Sequence, residues 1–113
     1  MLKKIRKILY RSIENKEISY KELNEFMKEK KGFLIDVRSN QEYEEGHLNG
    51  AINISVYNIE KEIRNVVKNK SDIIILYCSS GTRSKEAKSI LENMGYTEVY
   101  NLKDGIDKLW IKE

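Results

Sequence analysis

Residues 73–84 constrain the chain more than any other stretch, because an apolar run there gives way to a loop of small residues and then to a helical pattern. Ile73, Ile74, Ile75, Leu76 and Tyr77 form a short, continuous and largely β-branched run, the pattern of a strand buried on both faces of a parallel sheet. Beyond the loop, Ala87, Ile90, Leu91 and Met94 recur at helical spacing as far as Gly95, a residue that tolerates the left-handed conformation at a helix end. Cys78, the single cysteine, therefore falls between the C-terminal end of a strand and the N-terminal end of a helix.

Unpaired backbone N–H groups at a helix start, together with the positive end of its dipole, favour negative charge nearby. A thiolate is such a charge, and a cation beside it strengthens the preference. Arg83 supplies that cation. Gly81 admits a positive φ, while Ser79, Ser80, Thr82 and Ser84 are small or hydroxyl-bearing and permit a tight turn around an anion. The segment reads as an anion cradle with a nucleophile at its floor.

Residues 78–83, Cys-Ser-Ser-Gly-Thr-Arg, resemble the six-residue active-site loop of the single-domain rhodaneses, a sulfurtransferase family. Other segments carry the same resemblance in order. Asp36, Val37 and Arg38 resemble the family's signature at the end of its second strand, and residues 45–54, Glu-Gly-His-Leu-Asn-Gly-Ala-Ile-Asn-Ile, resemble its Gly-His-Ile-x-Gly-Ala-x-Asn segment. Residues 102–110, with Gly105 and Trp110, resemble the closing stretch, so the match covers roughly residues 17–111. Asn49 stands where proline is common, and Ile106 where a second glycine is frequent.

With 113 residues and 40% hydrophobic content, the chain suits one small domain. One cysteine cannot form an internal disulfide, so a reducing compartment keeps the thiol available. No apolar run reaches membrane-spanning length and no signal-peptide core is evident, which makes the expected location cytoplasmic and the expected chain free of transmembrane segments. The net charge of +3 conceals an asymmetry, because Lys3, Lys4, Arg6, Lys7 and Arg11 precede any acid and the remainder is net negative. Leu2, Ile5, Ile8, Leu9 and Ile13 share a helical face, so residues 1–15 read as a basic amphipathic extension packed on a domain of residues 16–113. The matched domain is not basic and carries no nucleic-acid-binding motif, so no nucleic-acid partner is expected.

Around Lys16 to Ser19 a short first strand is expected, followed by a helix from Tyr20 to about Lys30 whose capping box is Ser19 with Glu22 and whose inner face is Leu23, Phe26 and Met27. Phe33, Leu34 and Ile35 begin a buried strand, and Ser39 with Glu42 repeats the capping-box pattern. Ala51 to Ile54 reads as a short strand. Ser55 is the expected cap of a helix with Ile59, Ile63, Val66 and Val67 inside; Val99 and Tyr100 mark a last strand, Asp104 and Gly105 a turn, and Trp110 a core residue of the terminal helix. The alternation predicts an α/β domain with a mostly parallel sheet covered on both faces. The resemblance sharpens this to five strands in the rhodanese arrangement.

Asp36, Arg38, Glu42 and His47 invite an acid–base reading, but charged groups near strand ends more often orient loops through ion pairs. Arg38 alone is kept as a contributor to the pocket rim. The resemblance implies a sulfurtransferase: Cys78 attacks the sulfane sulfur of thiosulfate or a persulfide, a Cys78 persulfide forms, and a thiol or cyanide-like acceptor, small molecule or sulfur-accepting protein, removes the sulfur. Backbone N–H groups of Ser79, Ser80, Gly81, Thr82 and Ser84 would stabilise the terminal sulfur, and Arg83 would bind the anionic part of the donor. No cofactor is implied, and one cysteine with one histidine falls short of a structural zinc site.

Two alternatives remain open. Cysteine phosphatases and arsenate reductases of related fold also place a thiolate and an arginine around an anion loop, but with five residues between them where this chain has four, Ser79 to Thr82. The shorter ring suits a single sulfur better than a tetrahedral oxyanion. The other is a non-catalytic module that docks a partner or senses redox state through Cys78.

Overall fold

Five strands form one sheet in the computed structural model, which describes residues 15–30 and 32–110. They are β1 (Glu17–Ile18), β2 (Phe33–Asp36), β3 (Ile52–Asn53), β4 (Ile73–Tyr77) and β5 (Glu98–Leu102), in the order β1-β5-β4-β2-β3. Every ladder is parallel, with Phe33 opposite Ile74, Ile75 opposite Tyr100, Ile35 opposite Ile52 and Glu17 opposite Asn101. The helices are α1 (Tyr20–Lys30), α2 (Asn40–Glu45), α3 (Ile59–Val66), α4 (Thr82–Asn93) and α5 (Asp107–Trp110). Residues 1–14 of the expected basic extension and the side chain of Trp110 lie outside what is described.

β4 holds the centre because its apolar run has no polar face to present to water. Ile74, Leu76 and Cys78 point to one side, where Ile59 and Ile63 of α3 and Ala87 and Leu91 of α4 close over them. Ile75 and Tyr77 point to the other, packed with Leu23 and Phe26 of α1, Tyr100 and Ile106. From Ile74 to Tyr77 every residue is fully buried, and each large apolar side chain so placed contributes about 1.5–3 kcal/mol. Two cores on two faces are what a continuous hydrophobic strand requires. Phe26 and Tyr100 meet edge to face with ring centroids 4.7 Å apart.

Helix starts follow the expected chemistry at two places. Ser19 Oγ accepts from Glu22 N at 3.2 Å while Ser19 N donates to Glu22 Oε1 at 2.9 Å, the reciprocal box that opens α1. Ser39, extended at φ −64° and ψ 159°, opens α2 with the same box to Glu42. The expected cap of α3 is corrected: that helix starts behind Asn58, which makes no side-chain cap bond. Ser55 serves a preceding turn instead, its Oγ accepting from Tyr57 N and its carbonyl from Asn58 N. The cause is Val56, buried and donating its N–H to Val37 O, which keeps the chain tied to the sheet end before the helix can begin.

All five strands run the same way, so the segments after β2, β4 and β5 gather at one edge of the sheet, where open parallel sheets place their sites. Ser19→Ala removes the side-chain half of the α1 box; the expected loss is about 1 kcal/mol of unfolding free energy in urea titration, with an unchanged m value.

Candidate active site

At the end of β4 the chain turns sharply through residues 78–81 before α4 begins at Thr82. Gly81 makes the turn possible: it occupies the helix N-cap in the left-handed region, at φ 103° and ψ −12°. Cys78, 1% exposed, projects its Sγ into the ring this creates. Gly81 N donates to Sγ at 3.1 Å and Ser84 N at 3.4 Å, so amides from the helix start converge on sulfur. Ser84, fully buried, adds its hydroxyl 3.5 Å from Sγ and anchors itself by donating to Gly81 O at 3.1 Å. Ser80 Oγ and Thr82 Oγ1, 3.5 Å apart, stand on the exposed crest.

The outside of the ring is held by a second turn. Ile106 N donates to Cys78 O at 3.1 Å and Asp107 N to Ser79 O at 2.9 Å, while Val37 N takes Tyr77 O at 3.0 Å. With three successive carbonyls bound outward, the peptide planes present their N–H sides elsewhere in the loop. The approach is so close that a β-carbon on Gly105 would lie 2.2 Å from Ser79 O and 2.7 Å from Cys78 O. Asp104 and Gly105 both take positive φ, 66° and 69°, to bring the chain this near.

The two arginines occupy different places. Arg83, one-third exposed, makes a double bond to a carboxylate from the neighbouring segment: Nη1 to Glu42 Oε1 at 2.7 Å and Nη2 to Glu42 Oε2 at 3.0 Å, with Ser79 Oγ at 3.3 Å. Hydrogen bonding to Glu42 holds the Arg83 guanidinium above its ordinary pKa against burial, and Cys78 and the exposed Tyr57 lie within electrostatic reach of it. Reciprocally, Arg83 holds the Glu42 carboxyl at about 2, against burial and with help from Ser39. The expectation that Arg38 lines the rim is corrected. Arg38 is 3% exposed, and its guanidinium binds both oxygens of Asp36, at 2.7 to 3.1 Å, and the carbonyl of Gly46 at 2.6 Å. The cause is Asp36 at the end of β2, which is fully buried and needs a cation. Burial works against the charge on Arg38, but Asp36 outweighs it and raises its pKa.

His47 stands apart from the ring: its Nδ1 lies 2.8 Å from Tyr43 O and it stacks on Tyr43 at 3.7 Å. The pairing of Glu42 with Arg83 is not legible in the sequence, because the capping box gives Glu42 a local role and Arg83 lies 41 residues away. Nor did it single out Tyr57, 89% exposed near the mouth. Beside the ring, Ser80 and Gly81 share a cavity of about 640 Å³ with Glu17, Glu22, Lys85, Lys103 and Asp104. Among the described residues no cluster of His, Cys, Asp and Glu could hold a metal ion, and no helix is long and apolar enough to cross a membrane.

Gly105→Ala forces the 103–107 turn off the loop; we expect a loss above about 2 kcal/mol in urea unfolding, with faster alkylation of Cys78 in the native state. The Glu42 carboxyl titrates near 2 in the folded chain against an ordinary 4.5, so its pairing contributes fully above about pH 4.5 and fades as pH falls through 2. Carbon-13 NMR of Glu42 should show that low midpoint, and Arg83→Ala should move it up toward the ordinary range; a midpoint near 4.5 in the intact chain contradicts the pairing.

Comparison with known proteins agrees with this geometry. The model of the rhodanese-like domain matches residues 19–112. The thiosulfate sulfurtransferase PspE of Escherichia coli K12 is 44% identical over 67 residues, which cover 59% of this chain and 64% of that protein. The tRNA uridine(34) hydroxylase of Buchnera aphidicola subsp. Baizongia pistaciae is 33% identical over 97 residues, 80% of this chain and 30% of that one. The chain thus spans less than two thirds of either relative. Among solved structures, the human single-domain sulfurtransferase TSTD1 superposes with a TM-score of 0.74 at 25% identity, covering 86% of this chain and 96% of that one. With the parallel sheet, the six-residue loop and the family match in agreement, the chain belongs to the rhodanese-like domain family.

Proposed function

We propose that this protein is a sulfurtransferase that carries sulfane sulfur as a persulfide on Cys78. One observation carries the reading: Sγ of Cys78 sits at the floor of a ring in which Gly81 N and Ser84 N already point at it. Such amides stabilise the thiolate before reaction, and the positive helix start favours the negative charge of an outer sulfur after it. In the first half-reaction the thiolate attacks the sulfane sulfur of thiosulfate or a persulfide, and the rest of the donor leaves as sulfite or a thiol. In the second, a thiol or cyanide-like acceptor, including a sulfur-accepting protein, takes the outer sulfur and restores the thiolate.

Roles follow from position. Ser79, Ser80, Gly81 and Thr82 form the ring, Ser84 braces it from below, and Arg83 stands at its mouth, bound to Glu42 and Ser79. Arg38 acts behind the site by fixing the end of β2 through Asp36. Support for the reading also comes from relatives named as sulfurtransferases. The single free cysteine suits a reducing compartment such as the cytoplasm.

Intact mass spectrometry of the reduced protein tests the reading. Incubation with thiosulfate or a small persulfide should add one sulfur, about 32 Da, that cyanide removes and Cys78→Ser never gains. No gain with either donor, while Cys78 still alkylates, would eliminate sulfur transfer and favour oxyanion chemistry or a docking role for the same loop.

A further inference from the structure

Charge around the loop is more nearly balanced than its anion-binding shape suggests. Arg83 is the only cation in residues 78–84, and Glu42 matches it oxygen for nitrogen at 2.7 and 3.0 Å. Arg38 is likewise matched by Asp36. Lys85 and Lys103 border the adjoining cavity, but among the described residues its walls also carry Glu17, Glu22 and Asp104. Among the described residues, what stays positive at the ring is the helix start, whose amides at Gly81 and Ser84 are directed at Cys78 itself.

Donors differ in the charge they add. With thiosulfate, a bond forms from Cys78 sulfur to the sulfane sulfur, the donor's S–S bond breaks and sulfite leaves with the electron pair; a thiolate and a dianion must come together. With a protonated alkyl persulfide the same bonds form and break, the alkyl thiolate that leaves takes up the persulfide proton, and a single negative charge is present throughout. We propose that Glu42 is a specificity-determining residue: by neutralising Arg83 it disfavours dianionic donors such as thiosulfate and favours persulfides of low charge. The inference rests on the sulfur-transfer reading and sets the donor class for it. Glu42 acts through Arg83, so it is a positioning residue and not a catalytic one.

The capping box makes the test clean. Glu42 Oε1 also accepts from Ser39 N and Ser39 Oγ, both at 3.0 Å, and glutamine serves equally well at this helix position. Glu42→Gln therefore keeps α2 capped while removing the charge that opposes Arg83. In a Cys78→Ser background, where no transfer occurs, thiosulfate binding measured by calorimetry should tighten about tenfold on adding Glu42→Gln, and further adding Arg83→Ala should cancel the gain. With Cys78 present, the ratio of kcat/KM for thiosulfate to that for 2-hydroxyethyl persulfide should rise about tenfold in Glu42→Gln, chiefly through the KM for thiosulfate. Unchanged or weaker binding together with an unchanged ratio overturns the role of Glu42 while leaving sulfur transfer intact. Failure of Cys78 to gain sulfur from either donor is a different result, which defeats the sulfur-transfer reading and the donor preference with it.

Discussion

The cysteine ring depends on a backbone contact between two loops, in which Ile106 N and Asp107 N bind the carbonyls of Cys78 and Ser79. Bound carbonyls fix the peptide planes, and fixed planes aim the remaining amides. Without that contact, a stretch made of serines, a threonine and a glycine would have many conformations available, and ordering it would cost about 1–2 kcal/mol per residue. Gly105 permits the approach because a side chain there would occupy the space of Ser79 O. The parallel pairing of β5 with β4 makes the contact possible, because it delivers the 103–107 turn to the edge where the cysteine loop emerges.

A second layer of order is electrostatic. Two ion pairs flank the loop, and they differ in kind. Asp36 with Arg38 is buried and hydrogen-bonded on several sides, so it acts as an architectural clamp at the end of β2 whose rupture would leave a charge stranded. Glu42 with Arg83 is about one-third exposed, and water screens it, so its worth lies less in stability than in where it directs the guanidinium. Through Ser39 the second pair also ties the start of α2 to the mouth of the loop. The proposed chemistry therefore operates in a field set by carboxylates as much as by arginines.

Local chemistry was legible in the residues. The strand at 73–77, the helix behind it, both capping boxes and the left-handed Gly81 and Gly95 follow from patterns that act within a few positions of one another. The loop with its lone cysteine and arginine was legible for the same reason. The start of α3 was not, because a tertiary bond from Val56 to Val37 overrode the nearest capping residue. The burial of Arg38 is likewise not local. Its pairing with Asp36, only two residues back, was readable as an option, but the burial that makes the pairing obligatory comes from the segments folded over it.

By itself, the sequence determined which elements form, that one thiol sits between a strand and a helix, and that small residues surround it, since these depend on near neighbours and on hydrophobic period. The neighbours of the cysteine loop that are remote in sequence come from the tertiary fold. It brought Glu42 across 41 residues to Arg83, withdrew Arg38 into the interior and set Gly105 against Ser79. The physical reason is that charge pairing and close backbone contact depend on distances in space, and the parallel sheet brings those distances down only once all five strands are in register.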